Sequence, residues 1–519
     1  MRLVFYLLYF IVGIGCVFLN TDLFFDAKNQ AKEYIFLTGL SIGLLGWGLF
    51  LVKTNSHLFP KLSSRFLMMI CLTISILESS YSVIDFLLNG RGFVGSFDNE
   101  AGLSVCLIST MPFAQLLYVG NKSRMRFYLF LITAIILSTP IIVMRSRTGI
   151  IAILVLLTVI FLGRVKITKL LKVAIFSLII LVSIFGLYFM KKDSADGRLL
   201  IWRCSLELIA KKPIFGHGRD GFTANYMSEQ AKWNSRHLSD KITYLAGDTT
   251  EPFNEYIRIM VNHGFVGLLL FAFIIFHLYL CWKHDSYNLC TKLSAFSIFL
   301  ILVCAMFSYP FKYPFTWYVL FINCYTLFNN NFYIQSLRSS RYLRLSLVAS
   351  SIVAATLIIC HLISDIPAQL KWRKLESDFV FLNQSDVFEQ FASLEKQLGT
   401  NRLFLYSYSA ALFSTNQYRE CLILADKCRS LWEGYDLEIM TASCYDELCC
   451  YEKAEYHYMQ SYFMCPCRFL PLYKLMLLYQ ENGEIEKSKN IARCILEKRV
   501  KIHSPSVDTI KEIAKSILN

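Results

Sequence analysis

Charge is what this chain has least of. Only 17% of its 519 residues are Asp, Glu, Lys or Arg, against about 25% in a soluble globular protein. An ordinary soluble fold is excluded along most of the length. Apolar residues make up 55%, which excludes disorder, whose signature is low hydrophobicity with high net charge. With 24 glycines and 11 prolines, there is no collagen-like repeat. Cysteine, at 17 residues, is too dilute for a small disulfide scaffold, and no C-x2-C pair is matched by a second pair or by paired histidines, so no metal site is expected. No A-x-A-like site follows the first apolar run, so residues 3–19 are expected to stay as a span and not to be a cleaved leader.

Acidic charge is scarcest where the chain is most apolar. Residues 365–519 hold 19 basic and 21 acidic side chains, while residues 1–364 hold 33 and 17. The chain therefore reads as two parts: a basic membrane body, 1–364, and a near-neutral tail, 365–519. A crossing helix needs about 20 mostly apolar residues to span about 30 Å of hydrocarbon. Such windows fall at 3–19, 35–52, 66–88, 101–119, 127–144, 149–163, 173–190, 264–282, 293–308, 315–328 and 345–364. The expected fold is all-α: a polytopic membrane helical bundle of about eleven spans, then a helical tail.

Orientation follows from Lys and Arg in short loops. With the N-terminus inside, the inner segments hold 16 of them, including Lys53, Lys61, Lys122 and Arg338. The outer ones hold six: Lys28, Lys32, Arg91, Arg145, Arg147 and Lys312. Much of the basic charge thus sets topology, and no nucleic-acid partner is expected. The long loop 191–263 and the tail are expected outside.

The tail repeats. Tyr418, Tyr451 and Ile485 stand 33 and 34 residues apart, and each is followed three residues later by a small side chain, Cys421, Ala454 or Ser488. The pattern resembles the tetratricopeptide repeat, a helix–turn–helix unit whose small residues let paired helices approach closely; a plain helical bundle is the alternative. The tail is expected to present a docking surface for a protein partner. Its eight cysteines fit buried small residues, disulfides or, least well, a metal site.

The outer face carries the chemistry. Arg145-Ser146-Arg147-Thr148-Gly149 lies between two spans, and guanidinium forks match phosphate oxygens in pairs. The alternative for these arginines is interfacial anchoring. In 197–213, Leu199, Trp202, Leu206 and Ile209 mark one face of an amphipathic helix and Arg203, Glu207 and Lys211 another. Arg198 is expected at its start, where helix-end amides favour an anion. Gly216-x-Gly218-x-x-Gly221 has dinucleotide spacing, but no strand precedes it and no βαβ unit surrounds it, so we read a tight glycine turn and no nucleotide cofactor. Glu251, Asn254, Glu255, Arg258 and His263 then crowd the entrance to the next span. Glu255 and Arg258 have the spacing of a simple pair on one helix face, and His263 that of an interfacial cap.

The order GSFDNEAGLSVCLISTMPF (95–113), SRTGIIAIL (146–154), GRLLIWRCSLELIAKKPIFGHGRDGF (197–222) and EPFNEYIRIMVNHGFVGLLLF (251–271) resembles the superfamily of O-antigen ligases, O-antigen polymerases and protein O-oligosaccharyltransferases. The resemblance implies a multi-pass enzyme of the bacterial inner membrane with its loop, and here its tail, in the periplasm. It implies transfer of a glycan from a polyprenyl-diphosphate carrier to a hydroxyl acceptor, lipid A core or protein, with membrane lipids as surroundings and no cofactor. By the same resemblance Arg147 and Arg198 match the arginines assigned to the diphosphate. Trp202, Pro213, Gly216 and Gly218 match scaffold positions of the loop, and Asn254 matches the Asn of a His-Asn signature. The signature's histidine is Phe253 here, which cannot take a proton, so either Glu255, Glu251 or His263 is expected in its place or the branch relies on positioning and leaving-group stabilisation, with Arg145, Trp202, Asn254 and Glu251 contacting substrate. The rival readings are a polymerase of the same superfamily, a non-enzymatic membrane scaffold, and a transporter, for which Glu78 and Asp85 are the acidic candidates.

Overall fold

The computed structural model describes residues 2–52, 62–90, 92–118, 123–238, 240–329, 341–379 and 384–519. Lys53, Lys61, Arg91, Lys122 and Arg338 lie outside these residues. Among the described residues every regular element is a helix. In chain order these are α1 (Arg2–Phe18), α2 (Gln30–Val52), α3 (Ser64–Asn89), α4 (Glu100–Tyr118, tightened to a 3-10 turn at Met111–Ala114), α5 (Arg124–Val143), α6 (Arg147–Arg164), α7 (Lys169–Met190), α8 (Lys192–Lys211), α9 (Gly221–Arg236), α10 (Glu255–His284), α11 (Leu289–Ala305), α12 (Pro314–Asn329) and α13 (Arg341–Asp378). The tail adds α14 (Gln384–Leu398), α15 (Arg402–Ser414), α16 (Tyr418–Arg429), α17 (Tyr435–Glu447), α18 (Tyr451–Met464), α19 (Leu470–Glu481), α20 (Ile485–Glu497) and α21 (Pro505–Leu518). The chain forms two compact units: Met1–Phe189 with Phe253–Glu255 and Leu270–Asp378, and Met190–Pro252 with Tyr256–Leu269 and Phe379–Asn519.

The first unit is a membrane-type bundle, with a correction to the count. Among the described residues five helices are long and apolar enough to cross a bilayer, not eleven: Ser64–Asn89, Glu100–Tyr118, Arg124–Val143, Glu255–His284 and Leu345–Asp378. The other windows are helical too, but Leu3–Phe18, Arg147–Gly163 and Leu289–Ala305 are shorter. Seventeen residues rise about 26 Å, short of the hydrocarbon thickness. Leu103, Leu107, Phe113, Leu137, Ile141, Leu300, Phe315 and Ile322 form the buried centre.

Two ionisable side chains meet at one buried turn of this bundle. Lys32 and Glu78 are both 0% exposed. Lys32 Nζ donates to Ser96 O at 2.6 Å, and the Glu78 carboxylate accepts from Ser96 N and Ser96 Oγ, each at 2.8 Å. The two side chains thus clamp the turn that leads into α4, whose first amides are capped by Asn99. Asp85, the other acidic candidate for a transport path, accepts from its helical neighbour Asn89 at 2.7 Å.

The second unit contains the repeat. Tyr418, Tyr451 and Ile485 each open a helix, and Cys421, Ala454 and Ser488 are all fully buried beneath them. The turn before each helix is also repeated. Asn416, Cys449 and Gly483 have positive φ, and Gln417 N, Cys450 N and Glu484 N reach back to Leu412 O, Tyr445 O and Tyr479 O at 2.8–2.9 Å. That is the Schellman pattern, which satisfies carbonyls left over at a helix end. The tail is thus a stack of helix pairs, α15–α16, α17–α18 and α19–α20, consistent with a tetratricopeptide-like region. Cys421, Cys428, Cys444 and Cys465 are buried in it. The loop helices α8 and α9 belong to the same body: Leu200, Cys204, Leu208, Phe222, Tyr226, Met227 and Trp233 share one core with Tyr435, Met464 and Cys465.

Candidate functional site

In the first unit the arginine motif is a tight turn between α5 and α6. α5 closes with a Schellman pair, Arg145 N to Ile142 O at 3.0 Å and Ser146 N to Ile141 O at 3.1 Å. Arg145 therefore occupies the left-handed position, φ +53°, that glycine normally fills. Ser146 starts the next helix at once, its Oγ accepting from Gly149 N and from Ser104 Oγ at 2.7 Å. Gly149 is needed because a Cβ there would lie 2.4 Å from Ile141 Cγ2. Ser146, Thr148 and Gly149 are buried in making the turn, while Arg145 is exposed and Arg147 half-buried at the first helical position of α6.

The same unit holds Phe253, Asn254 and Glu255. Phe253 has φ +53°, an outlier for a bulky residue, and its ring lies 5.4 Å from that of Tyr309. Glu255 opens α10, is 2% exposed, and accepts from Phe311 N at 3.1 Å. Its carboxylate thus holds the 3-10 turn Pro310–Lys312.

The second unit carries the loop half. Trp202 Nε1 donates to Pro252 O at 2.9 Å, so this indole anchors the segment before Phe253. Glu251 pairs with Arg258 at 3.1 Å. Burial, then the nearby Asp436, raises the Asp248 carboxyl above its usual range, opposed by Arg468 and Arg402. Two expectations for α8 change here. The helix begins at Lys192, so Arg198 lies in its second turn and not at its start. Its buried face is Leu200, Cys204 and Leu208, and the expected stripe splits: Leu199 and Leu206 are exposed while Trp202 and Ile209 are half-buried.

The glycine turn clasps a break in α10. At Gly264 the backbone turns to φ +61°, ψ −160°. Phe265 N and Val266 N, which lose their helical acceptors there, donate to Pro213 O and Ile214 O at 2.8 and 3.1 Å. In return His217 N and Gly218 N take Val261 O and Asn262 O at 2.8 and 2.9 Å. Asn262 finishes the turn, accepting from Phe222 N at 2.9 Å and donating to Arg219 O at 2.6 Å. Chain groups thus take over the two amides that the break frees, as buried backbone requires. His263 is exposed on this break. Among the described residues no group of three His, Cys, Asp or Glu side chains is placed to hold a metal ion. Asn262 was passed over in the sequence; its place beside His263 and Gly264 was the available signal.

The fold and these features define a class: an all-α, membrane-type protein with an arginine turn between two apolar helices and a structured loop ahead of a broken helix. Residues 129–272, just over a quarter of the chain, match the family described as O-Antigen ligase. The matched stretch contains Arg145, Arg147, Arg198, Trp202, Glu251, Asn254, Glu255 and His263. No curated protein matches the chain.

Proposed function

We propose that the protein is an O-antigen ligase-like transferase of the bacterial inner membrane. It passes a glycan from a polyprenyl-diphosphate carrier to a hydroxyl on a lipid A core or a protein. The observation that carries this reading is the family match over 129–272, which takes in both arginine motifs and the broken helix. The hydroxyl attacks the anomeric carbon, the bond to the diphosphate breaks with inversion, and polyprenyl diphosphate leaves. Arg147 and Arg198 stabilise the charge growing on that leaving group, the kind of electrostatic contribution that usually dominates catalysis, and Arg145, Trp202, Asn254 and Glu251 help seat substrate. His263, exposed on the helix break, takes the hydroxyl proton in place of the histidine that Phe253 replaces. Glu255, committed to Phe311 N, acts through the turn it holds.

The large loop and the tail lie in the periplasm in this reading. Their shared core supports a single compartment for both. The chain then crosses an even number of times between Gly264 and Asp378, as it does if α10, α11, α12 and α13 all cross, the short α11 and α12 included.

The test is a glycan gel of a deletion strain complemented with Arg147→Ala or Arg198→Ala. The expected result is loss of attached glycan with normal amounts of membrane protein. Normal attachment by both variants overturns the assignment. Loss of every long chain in the deletion strain marks a ligase; survival of single-unit attachment marks a polymerase instead.

A further inference from the structure

The long loop meets the repeat in register. Thr223 Oγ1 shares its one proton between Asp220 O at 2.9 Å and Leu431 O at 3.2 Å, Gln230 Nε2 donates to Met464 O at 2.7 Å, and the Tyr244 hydroxyl to Arg499 O at 2.9 Å. These three carbonyls are 33 and 35 residues apart in the chain, close to the 33 and 34 of the repeat itself. Each lies at, or two residues past, the end of the second helix of a pair: α16 ends at Arg429, α18 at Met464 and α20 at Glu497. Helix ends leave their last carbonyls without intrahelical donors, so a stack of pairs offers one such acceptor per repeat. The loop supplies one donor to each. Asn234 Nδ2 adds a bond to Phe463 O at 2.8 Å, and Glu433 N returns one to Thr223 O at 3.2 Å.

Apolar burial alone would hold α9 against the tail without fixing its position along the stack, because the hydrophobic effect is non-directional. The periodic row of hydrogen bonds fixes it. Gln230 does more than dock. It is 1% exposed, its Oε1 accepts from the Tyr226 hydroxyl at 2.5 Å, and its Nε2 donates to Gly247 O at 3.0 Å as well as to Met464 O. Gly247 begins the stretch 247–252, which carries Glu251 and ends at the Pro252 carbonyl held by Trp202.

We propose that the row of carbonyls at the ends of the second repeat helices is a docking surface whose occupant is the chain's own loop, residues 221–238 and 240–245, and that Gln230 is a positioning residue tying segment 247–252 to that row. The role of 247–252 in transfer rests on the function proposed above; the docking does not. A protein partner would then use another face of the tail.

The test is Gln230→Met in the full-length protein, which keeps the volume and removes the hydrogen bonds of the Gln230 amide to Tyr226, Gly247 and Met464. Hydrogen exchange should quicken selectively at 247–252 while helices α15–α20 keep wild-type protection. Uniform quickening, or none, overturns the proposal. In a transfer assay with polyprenyl-diphosphate-linked glycan, the donor KM should rise about tenfold, the scale of a misplaced binding segment; an unchanged KM with less active protein marks Gln230 as a core residue only. If Gln230→Met does not accumulate, Tyr226→Phe decides: it removes only the hydroxyl that orients the Gln230 amide, and selective quickening at 247–252 is again expected. A wild-type protein without transfer activity overturns the proposed function and leaves the exchange result to judge the docking.

Discussion

The clasp around Gly264 can be taken apart by a graded alanine series. Gly264→Ala meets two penalties. Its backbone conformation, φ +61° and ψ −160°, is nearly glycine-only and costs another residue on the order of 1–3 kcal/mol. A Cβ would also lie 2.3 Å from Ile214 O and 2.6 Å from Pro213 O, the carbonyls that receive Val266 N and Phe265 N. Pushing them away loses two hydrogen bonds of about 1 kcal/mol each. The sum is roughly 3–5 kcal/mol, a large share of a domain's stability. Gly218 has φ +97° but open space around its Cβ position, so Gly218→Ala should show strain alone, about 1–3 kcal/mol. Gly197 lies within α8 and a Cβ there would meet only Leu245 Cβ at 4.0 Å. Gly197→Ala should be neutral or stabilising by about 0.4–1 kcal/mol. Thermal unfolding of the purified protein in detergent should rank the three variants in that order. At about 2–4 °C per kcal/mol, Gly264→Ala should melt at least about 6 °C below the wild type. A Gly264→Ala midpoint within about 2 °C of wild type, or one equal to that of Gly218→Ala, would refute the steric argument.

Arg145→Gly should raise stability by about 1 kcal/mol, because glycine fits the left-handed position at the end of α5 without strain, and should at the same time lower transfer. A gain in melting temperature with full transfer would leave Arg145 an interfacial anchor only. Glu433→Gln should change the pH profile of stability. Burial, then the neighbouring Glu438, pushes the Glu433 carboxyl up to about 7, against Arg429, Ser228 and Lys232. The fold therefore favours the protonated form, and stability falls as pH rises from the ordinary carboxylate range through about 7, levelling off beyond it. The variant should gain roughly 1–3 kcal/mol over wild type above that pH and little below the ordinary range; parallel melting curves from pH about 5 to 8 would contradict this.

The parts that were legible in the sequence are those written in periods. Apolar windows marked the helices of the first unit, and Tyr418, Tyr451 and Ile485 marked the first residues of three repeat helices. Span length was less legible, because apolar letters continue into turns: the window 293–308 runs past the end of α11 at Ala305. The start of α8 was hidden for the opposite reason, since Asp193, Ser194, Asp196 and Gly197 read as loop residues yet are helical. The joint core of loop and tail was not visible at all. α9 buries Phe222, Tyr226, Met227 and Trp233 on one face, but Gln230 and Asn234 interrupt that face with polar letters, and their partners are main-chain carbonyls that no side-chain pattern records. The shared role of Lys32 and Glu78 was not visible either: Lys32 read as a topological loop charge and Glu78 as an acidic candidate for transport, and nothing in the letters joined them to Ser96.

The central claim is that an arginine at the turn between α5 and α6 serves a lipid-linked diphosphate. The most direct measurement is release of polyprenyl diphosphate by the purified, reconstituted protein from a polyprenyl-diphosphate-linked glycan in the presence of acceptor. Wild type should release it with matching glycan transfer, and Arg147→Ala should release none above background at equal protein and unchanged melting temperature. Release by Arg147→Ala at the wild-type rate would contradict the account.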